Sequence, residues 1–233
     1  MEKTELKLQH ISRQIDLVPP TILSTPVNII GAGAIGSWTA LALAKMGFTN
    51  LTIWDHDEVD IVNMSSQFYM HSSIGEKKAA CLAELISVFT GNEVKPMAIP
   101  EKWTGMKMRG IVVMAVDSME VRKQIFEAHK GHIPCDWLID ARMGAETALL
   151  YTMNPNSTDD QRAYTNTLYT DAEAVQERCT AKSTTYNALV LSGLVAKAVR
   201  DVLVRGKYMR NLILSLKESD MAVFCVDLRP QAK

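Results

Sequence analysis

The run Asn28-Ile29-Ile30-Gly31-Ala32-Gly33-Ala34-Ile35-Gly36 sets three glycines between a β-branched stretch and a helical one. The first lets the chain turn tightly, the second lets a phosphate approach the backbone, and the third lets the helix pack closely. A phosphate then rests on the helix N-terminus, where unpaired N–H groups and the helix dipole favour negative charge. Leu51-Thr52-Ile53-Trp54 leads to Asp55, 19 residues (55 − 36) beyond Gly36, where an acid accepts hydrogen bonds from ribose hydroxyls. Asp57, Asn63, Gln67 and Lys78 follow. A dinucleotide site needs only one acid in this stretch, whereas a site that cleaves a triphosphate needs several polar groups and a cation. The set therefore predicts an ATP-using enzyme.

Other residues extend that chemistry. Lys78 follows Gly75 at a helix start and can reach phosphates as a point charge, while Asn63 and Gln67 can donate from their amides. Asp117 closes a buried strand, where an acid can hold Mg²⁺ against phosphate oxygens. Arg13, on an arm ahead of Pro19-Pro20, can act as a finger on developing triphosphate charge, within the chain or across a dimer. Arg122 and Arg142 can meet a phosphate or a carboxylate. Cys179, in Gln176-Glu177-Arg178-Cys179-Thr180, has basic neighbours that can lower a thiol pKa; a buried structural cysteine is the alternative.

The elements that must carry these groups follow from periodicity. Residues 2–16 predict a short helical arm, 27–30 a buried strand, 37–46 a helix closed by Gly47, and 51–54 a second strand. A helix is expected over 77–89, strands over 93–99 and 110–117, a helix over 119–130 and a strand over 137–140. This alternation is that of a Rossmann-like α/β fold, a mostly parallel sheet flanked by helices. After Arg142 the pattern changes to an antiparallel strand at 148–153, a polar mobile loop at 154–160, a long helix at 186–204 and strands at 211–216 and 222–228. The predicted organisation is an N-terminal arm, 1–26, and one domain, 27–233.

The totals narrow the classes. With 233 residues, 47% of them hydrophobic, the chain can build one large core but not two full domains. A net charge of −1 offers no general attraction to nucleic acid or anionic lipid. No apolar run is long enough to span a bilayer and the start lacks a signal-peptide core, so a cytoplasmic location is expected. Cys81, Cys135, Cys179 and Cys225 form no Cys-x-x-Cys pair, which predicts free thiols and neither disulfide framework nor structural zinc.

Taken together, the residues resemble the ThiF/MoeB-like adenylyltransferases, relatives of the ubiquitin-activating enzymes. Arg13-Gln14-Ile15 is similar to the family's R-Q-I segment, and Asp55 through Gln67 to its D-x-D-x-V-x-x-x-N-x-x-R-Q pattern. Gly75-Glu76-Lys77-Lys78-Ala79 is similar to G-x-x-K-A, and Asp117 through Arg122 to D-[N/S]-x-x-x-R. The resemblance implies that Asp55 and Asp57 border the nucleotide, Asp55 on the ribose, that Asn63, Gln67 and Lys78 contact phosphates, and that Asp117 binds Mg²⁺. Arg13 would be a finger, to a neighbouring subunit in a homodimer, and Cys179 a thioester or persulfide cysteine. The implied reaction joins a carboxylate, the C-terminal glycine of a ubiquitin-like or sulfur-carrier protein, to AMP with release of pyrophosphate. Two departures stand out: Ser66 occupies the place of the family arginine, a lost cation that Arg122, Arg142 or Lys77 could replace, and the zinc-binding cysteine pairs of many relatives are missing. A NAD-dependent oxidoreductase is a competing enzyme reading, though no Tyr-x-x-x-Lys pair accompanies the glycines. A module that holds a nucleotide or a ubiquitin-like tail without activating it is another.

Overall fold

Strand β1 (Val27–Ile30) shows why the sheet is buried on both faces: Ile29 points into one apolar cluster and Ile30 into the other, as period-2 alternation requires. Ile53 of β2 (Leu51–Trp54), Ile111 and Val113 of β4 (Gly110–Met114) and Ile139 of β5 (Cys135–Gly144) join Ile29. Trp54, Val112, Met114 and Leu138 join Ile30. A computed structural model describes residues 11–144, 146–169, 184–205, 207–217 and 222–230.

These strands and β3 (Met97–Ile99), β6 (Thr147–Met153), β7 (Lys207–Ser215) and β8 (Ala222–Pro230) form one sheet, in the order β3-β2-β1-β4-β5-β6-β7-β8. The first five are parallel and the last three antiparallel. Helices α1 (Ala34–Lys45), α2 (Lys78–Phe89) and α5 (Thr185–Val204) cover the Ile29 face; α3 (Met119–His129) and α4 (Thr158–Thr165) cover the other. The expected Rossmann-like class, parallel with an antiparallel C-terminal part, is what the chain adopts.

Strand order reverses between β1 and β4, which opens a crevice at their carboxyl ends, the place where open α/β sheets bind ligands. Register brings Ile30, Trp54, Met114 and Asp140 level. Gly31, Asp55 and Ala115 therefore leave the sheet side by side.

Several expectations change in detail. Strand β4 ends at Met114, so Asp117 lies on the loop after it, and β3 begins only at Met97 because Gly91 and Asn92, both at positive φ, turn the chain first. Residues 154–160 are not the expected mobile loop. Ser157 caps α4 and Asp160, on its first turn, is buried, accepting from the Asn154 N–H at 2.9 Å and from Arg210 Nη2 at 2.6 Å. The arm is held too: Ile11 packs over Gly47, Gln14 Nε2 donates to the Lys45 carbonyl at 3.0 Å, and Arg200 Nε donates to the Leu17 carbonyl. Of its helix, the described residues contain a single 3₁₀ turn, Ser12–Gln14.

Candidate nucleotide-binding site

Gly31 makes the tight turn and Gly36 the close packing that the spacing predicts. Gly31 has φ +95°, and a Cβ there would stand 2.5 Å from the Ala115 carbonyl oxygen; one at Gly36 would stand 1.8 Å from the Gly31 oxygen. Only glycine fits either place. Gly33 is different, since a Cβ would meet only Gln67 Nε2, at 4.0 Å. It is the N-cap of α1 and gives it no side-chain cap, so the helix begins with N–H groups that need an acceptor. The space beside Gly33 is thus an open cradle in which a Cβ would meet nothing closer than Gln67.

Polar side chains surround it. Asp55 accepts from the Ala32 N–H at 2.6 Å and the Asp57 N–H at 2.8 Å, which fixes the carboxylate beside the turn. Lys78, the first residue of α2, has only 8% of its side chain exposed and pairs with Asp57 Oδ2 at 3.2 Å. A lysine this enclosed is not the ordinary solvated kind. Asn63 Oδ1 accepts from the Asp60 N–H, and Asp60 caps the 3₁₀ turn Ile61–Asn63, leaving the Asn63 amide nitrogen outside that cap. Gln67 presents Nε2 to the cradle, while its Oε1 is buried and has no protein partner. An orphaned buried acceptor beside an open cradle fits a ligand that offers hydroxyl or water hydrogens as well as phosphate oxygens.

Ser66 is buried. Its carbonyl accepts from Trp38 Nε1 at 3.0 Å, and the Phe68 N–H donates to Ser37 Oγ at 3.0 Å, so residues 66–68 are strapped onto the first turns of α1. Asp117 is exposed at the same strand edge. Among the described residues the ligand atoms close enough to share a cation are those of Asp55, His56 and Asp57, within 4.8 Å of one another. Asp57 is already paired with Lys78, and Asp55 accepts two N–H groups.

Of the residues that could stand in for the arginine absent at 66, Arg122 and Arg142 meet a carboxylate, the alternative their types allowed, and Lys77 makes an exposed surface pair. Arg122 Nε and Arg142 Nε both donate to fully buried Asp140, at 2.8 and 2.7 Å. Arg142 also donates to the Thr167 carbonyl at 2.8 Å and lies 4.6 Å from the Tyr151 ring centre, and Tyr164 donates its hydroxyl to Asp140 at 2.8 Å. Lys77 bonds Glu58 and the His56 carbonyl, each at 3.1 Å. The signal for the Asp140 cluster was present in sequence: two charges at alternate positions of a buried strand share a face and need each other.

Nor is Arg13 at the glycine turn of its own chain. Its neighbour Gln14 is bonded to Lys45, at the far end of α1, and the helix from Gly33 to Lys45 is about 18 Å long at 1.5 Å per residue. Cys179 lies outside the described residues. Burial pushes the Cys135 thiol up to about 12, and Cys81 is raised as well, first by burial. Neither is an activated thiolate.

This turn, at this crevice, with this sheet order, belongs to a doubly wound α/β protein. The ThiF family model matches residues 13–230, and the chain belongs to the ThiF family. It is 29% identical over 106 residues to the tRNA threonylcarbamoyladenosine dehydratase of Haemophilus influenzae, covering 42% of this chain and 41% of that one. It is 36% identical over 104 residues to the NEDD8-activating enzyme E1 catalytic subunit of Dictyostelium discoideum, covering 42% of this chain and 24% of that one. The matches thus span less than half the length of these relatives. Among solved structures, PaaA superposes with a TM-score of 0.71 at 16% identity, over 94% of this chain and 73% of that one. Escherichia coli MccB with ATP superposes at 0.69 and 15%, over 90% and 66%. At these identities the superpositions show the fold alone. No helix among the described residues is long and apolar enough to cross a membrane.

Proposed function

We propose that this protein is an ATP-dependent adenylyltransferase that activates a carboxylate, the C-terminal glycine of a ubiquitin-like or sulfur-carrier protein. The observation that carries the reading is the open cradle at Gly33, over an uncapped helix start, with enclosed Lys78 and the Gln67 amide around it. Family membership supports it, as do the NEDD8-activating relatives and the MccB neighbours solved with ATP and with MccA.

In this reading the acceptor carboxylate oxygen bonds to the α-phosphorus, the bond from that phosphorus to the bridging oxygen breaks, and pyrophosphate leaves with the electron pair. Helix α1 and Gly33 hold phosphate oxygens, Asp55 receives the ribose hydroxyls, and Lys78 and Gln67 draw charge from the phosphates as it develops. Mg²⁺, held by Asp117 with the phosphates, would neutralise part of that charge. Because Gln14, next to Arg13, is bonded at Lys45, about 18 Å along α1 from Gly33, a finger from Arg13 acts on the site of a second subunit, in a homodimer.

Labelled pyrophosphate exchange into ATP, with a peptide ending in Gly-Gly as acceptor, tests the reading; absence of exchange with any acceptor despite ATP binding would replace it with the module that binds without activating. Buried Ser66 and the engagement of both arginines by Asp140 are what favour that second reading.

A further inference from the structure

Tyr69 closes the strap that runs across the start of α1. Its hydroxyl donates to the Ala32 carbonyl at 2.7 Å and lies 3.5 Å from the Lys78 carbonyl, so one phenol bridges the glycine turn and the helix that carries the site lysine. Burial first, then the neighbouring acidic groups, Asp55 foremost, push the phenol far above the ordinary tyrosine range, and it stays a donor at every physiological pH.

The bond matters because of peptide planarity. The Ala32 carbonyl and the Gly33 N–H belong to one rigid trans peptide and point in opposite directions. Gripping the carbonyl therefore aims the N–H. Asp55 grips the preceding peptide through the Ala32 N–H at 2.6 Å, so both planes of the turn are held from outside it. Among the described residues the Gly33 N–H has no protein acceptor, and Gln67 Nε2, 4.0 Å from where a Cβ of Gly33 would stand, lies close by.

We propose that Tyr69 is a positioning residue for nucleotide phosphate: its hydroxyl, acting through the Ala32–Gly33 peptide, points the Gly33 N–H at the phosphate site. The proposal rests on the ATP reading. It assigns part of the work of the absent arginine at 66 to a neutral donor held in place in advance, which needs no reorganisation when the phosphate arrives.

Tyr69→Phe removes the hydroxyl and keeps the ring, so the chain should still fold. Calorimetric titration of the wild type and the variant with MgATP and with adenosine separates positioning from general loosening. The expected result is affinity for MgATP weakened about fivefold, as for loss of one hydrogen bond, with adenosine affinity unchanged. Equal MgATP affinities in the two proteins, or equal weakening for MgATP and adenosine, would overturn this proposal while leaving the ATP reading in place. A wild type that binds no MgATP would overturn both.

Discussion

Two charged clusters stand nearly level across the sheet, one at Asp140 inside β5 and one just past the end of β1, and they differ in one respect. Around Asp140, with no exposed surface, two guanidiniums, a tyrosine hydroxyl and the chain at Thr167 close on one another. Around the glycine turn, Lys78 is enclosed but its partner Asp57 is 54% exposed, Gln67 keeps an unpaired buried oxygen, and the cradle stands open. Saturated polar groups hold helices to strands. Groups left partly unsatisfied at a helix N-terminus await a ligand.

Substitutions in the two clusters should therefore separate into effects on folding and effects on activity. The largest effect is expected for Asp140→Ala, which leaves Arg122 and Arg142 buried without a counter-charge and should lower unfolding stability by about 3–5 kcal/mol in chemical denaturation. A loss below 1 kcal/mol would mean that the closed cluster is not closed in solution. Next, Lys78→Met should keep the denaturation midpoint near that of the wild type and slow pyrophosphate exchange about 10²–10³-fold. If the variant instead unfolded early with its exchange rate intact, the open cluster would be structural and the contrast would fail.

In the proposed homodimer, Arg13→Ala and Asp117→Ala variants should both be slow in exchange, and mixing them should restore a fraction of the wild-type rate in the hybrid, through the one site that has both residues. Mixed samples no faster than their components would place the arm outside the neighbour's site. The smallest effect belongs to another closed group. His129, buried against Ile125, accepts from the Met108 N–H through Nε2 at 3.0 Å and meets the Ile125 carbonyl through Nδ1 at 2.7 Å, an arrangement that suits the neutral ring. Burial above all lowers its pKa. The unfolded chain thus binds the extra proton first, so stability is whole above the ordinary histidine range and falls as pH drops through it. The slope is at most about 1.4 kcal/mol per pH unit for one proton. Denaturation midpoints from pH 7.5 to 5.5 should show this decline in the wild type and less of it in His129→Gln.

The parallel half of the fold was legible because β1, β2 and β4 are short apolar runs with turn residues between them, and a strand buried on both faces leaves no other trace. Helix α4 was not, since Ser157, Asp159 and Asp160 favour turns as much as helix starts, and only the tertiary bonds from Arg210 and Tyr208 to Asp160 decide between them. Within the site, Gly31, Gly33 and Gly36 could be read from spacing, and the structure gathers Asp55, Asp57, Gln67 and Lys78 around them. The pairing of Lys78 with Asp57, 21 residues away, and the strap through Trp38, Ser37 and Tyr69, whose bonds span 28, 31 and 37 residues, join separate segments, to which periodicity is blind. Of the pairings that occupy Arg122 and Arg142, the bond from Arg142 to Asp140, two residues away on the same strand, could be read from alternation, whereas that from Arg122 spans 18 residues and could not.

The three glycines are bound to their places by different obligations. Gly31 and Gly36 are required by the backbone itself, whereas at Gly33 nothing but an incoming guest forbids a methyl group. A descendant of this protein that gave up its ligand would have to retain the outer pair and would be at liberty to lose the middle one. Residue 33 is thus where abandonment of the trade would first be written, and here it still reads glycine.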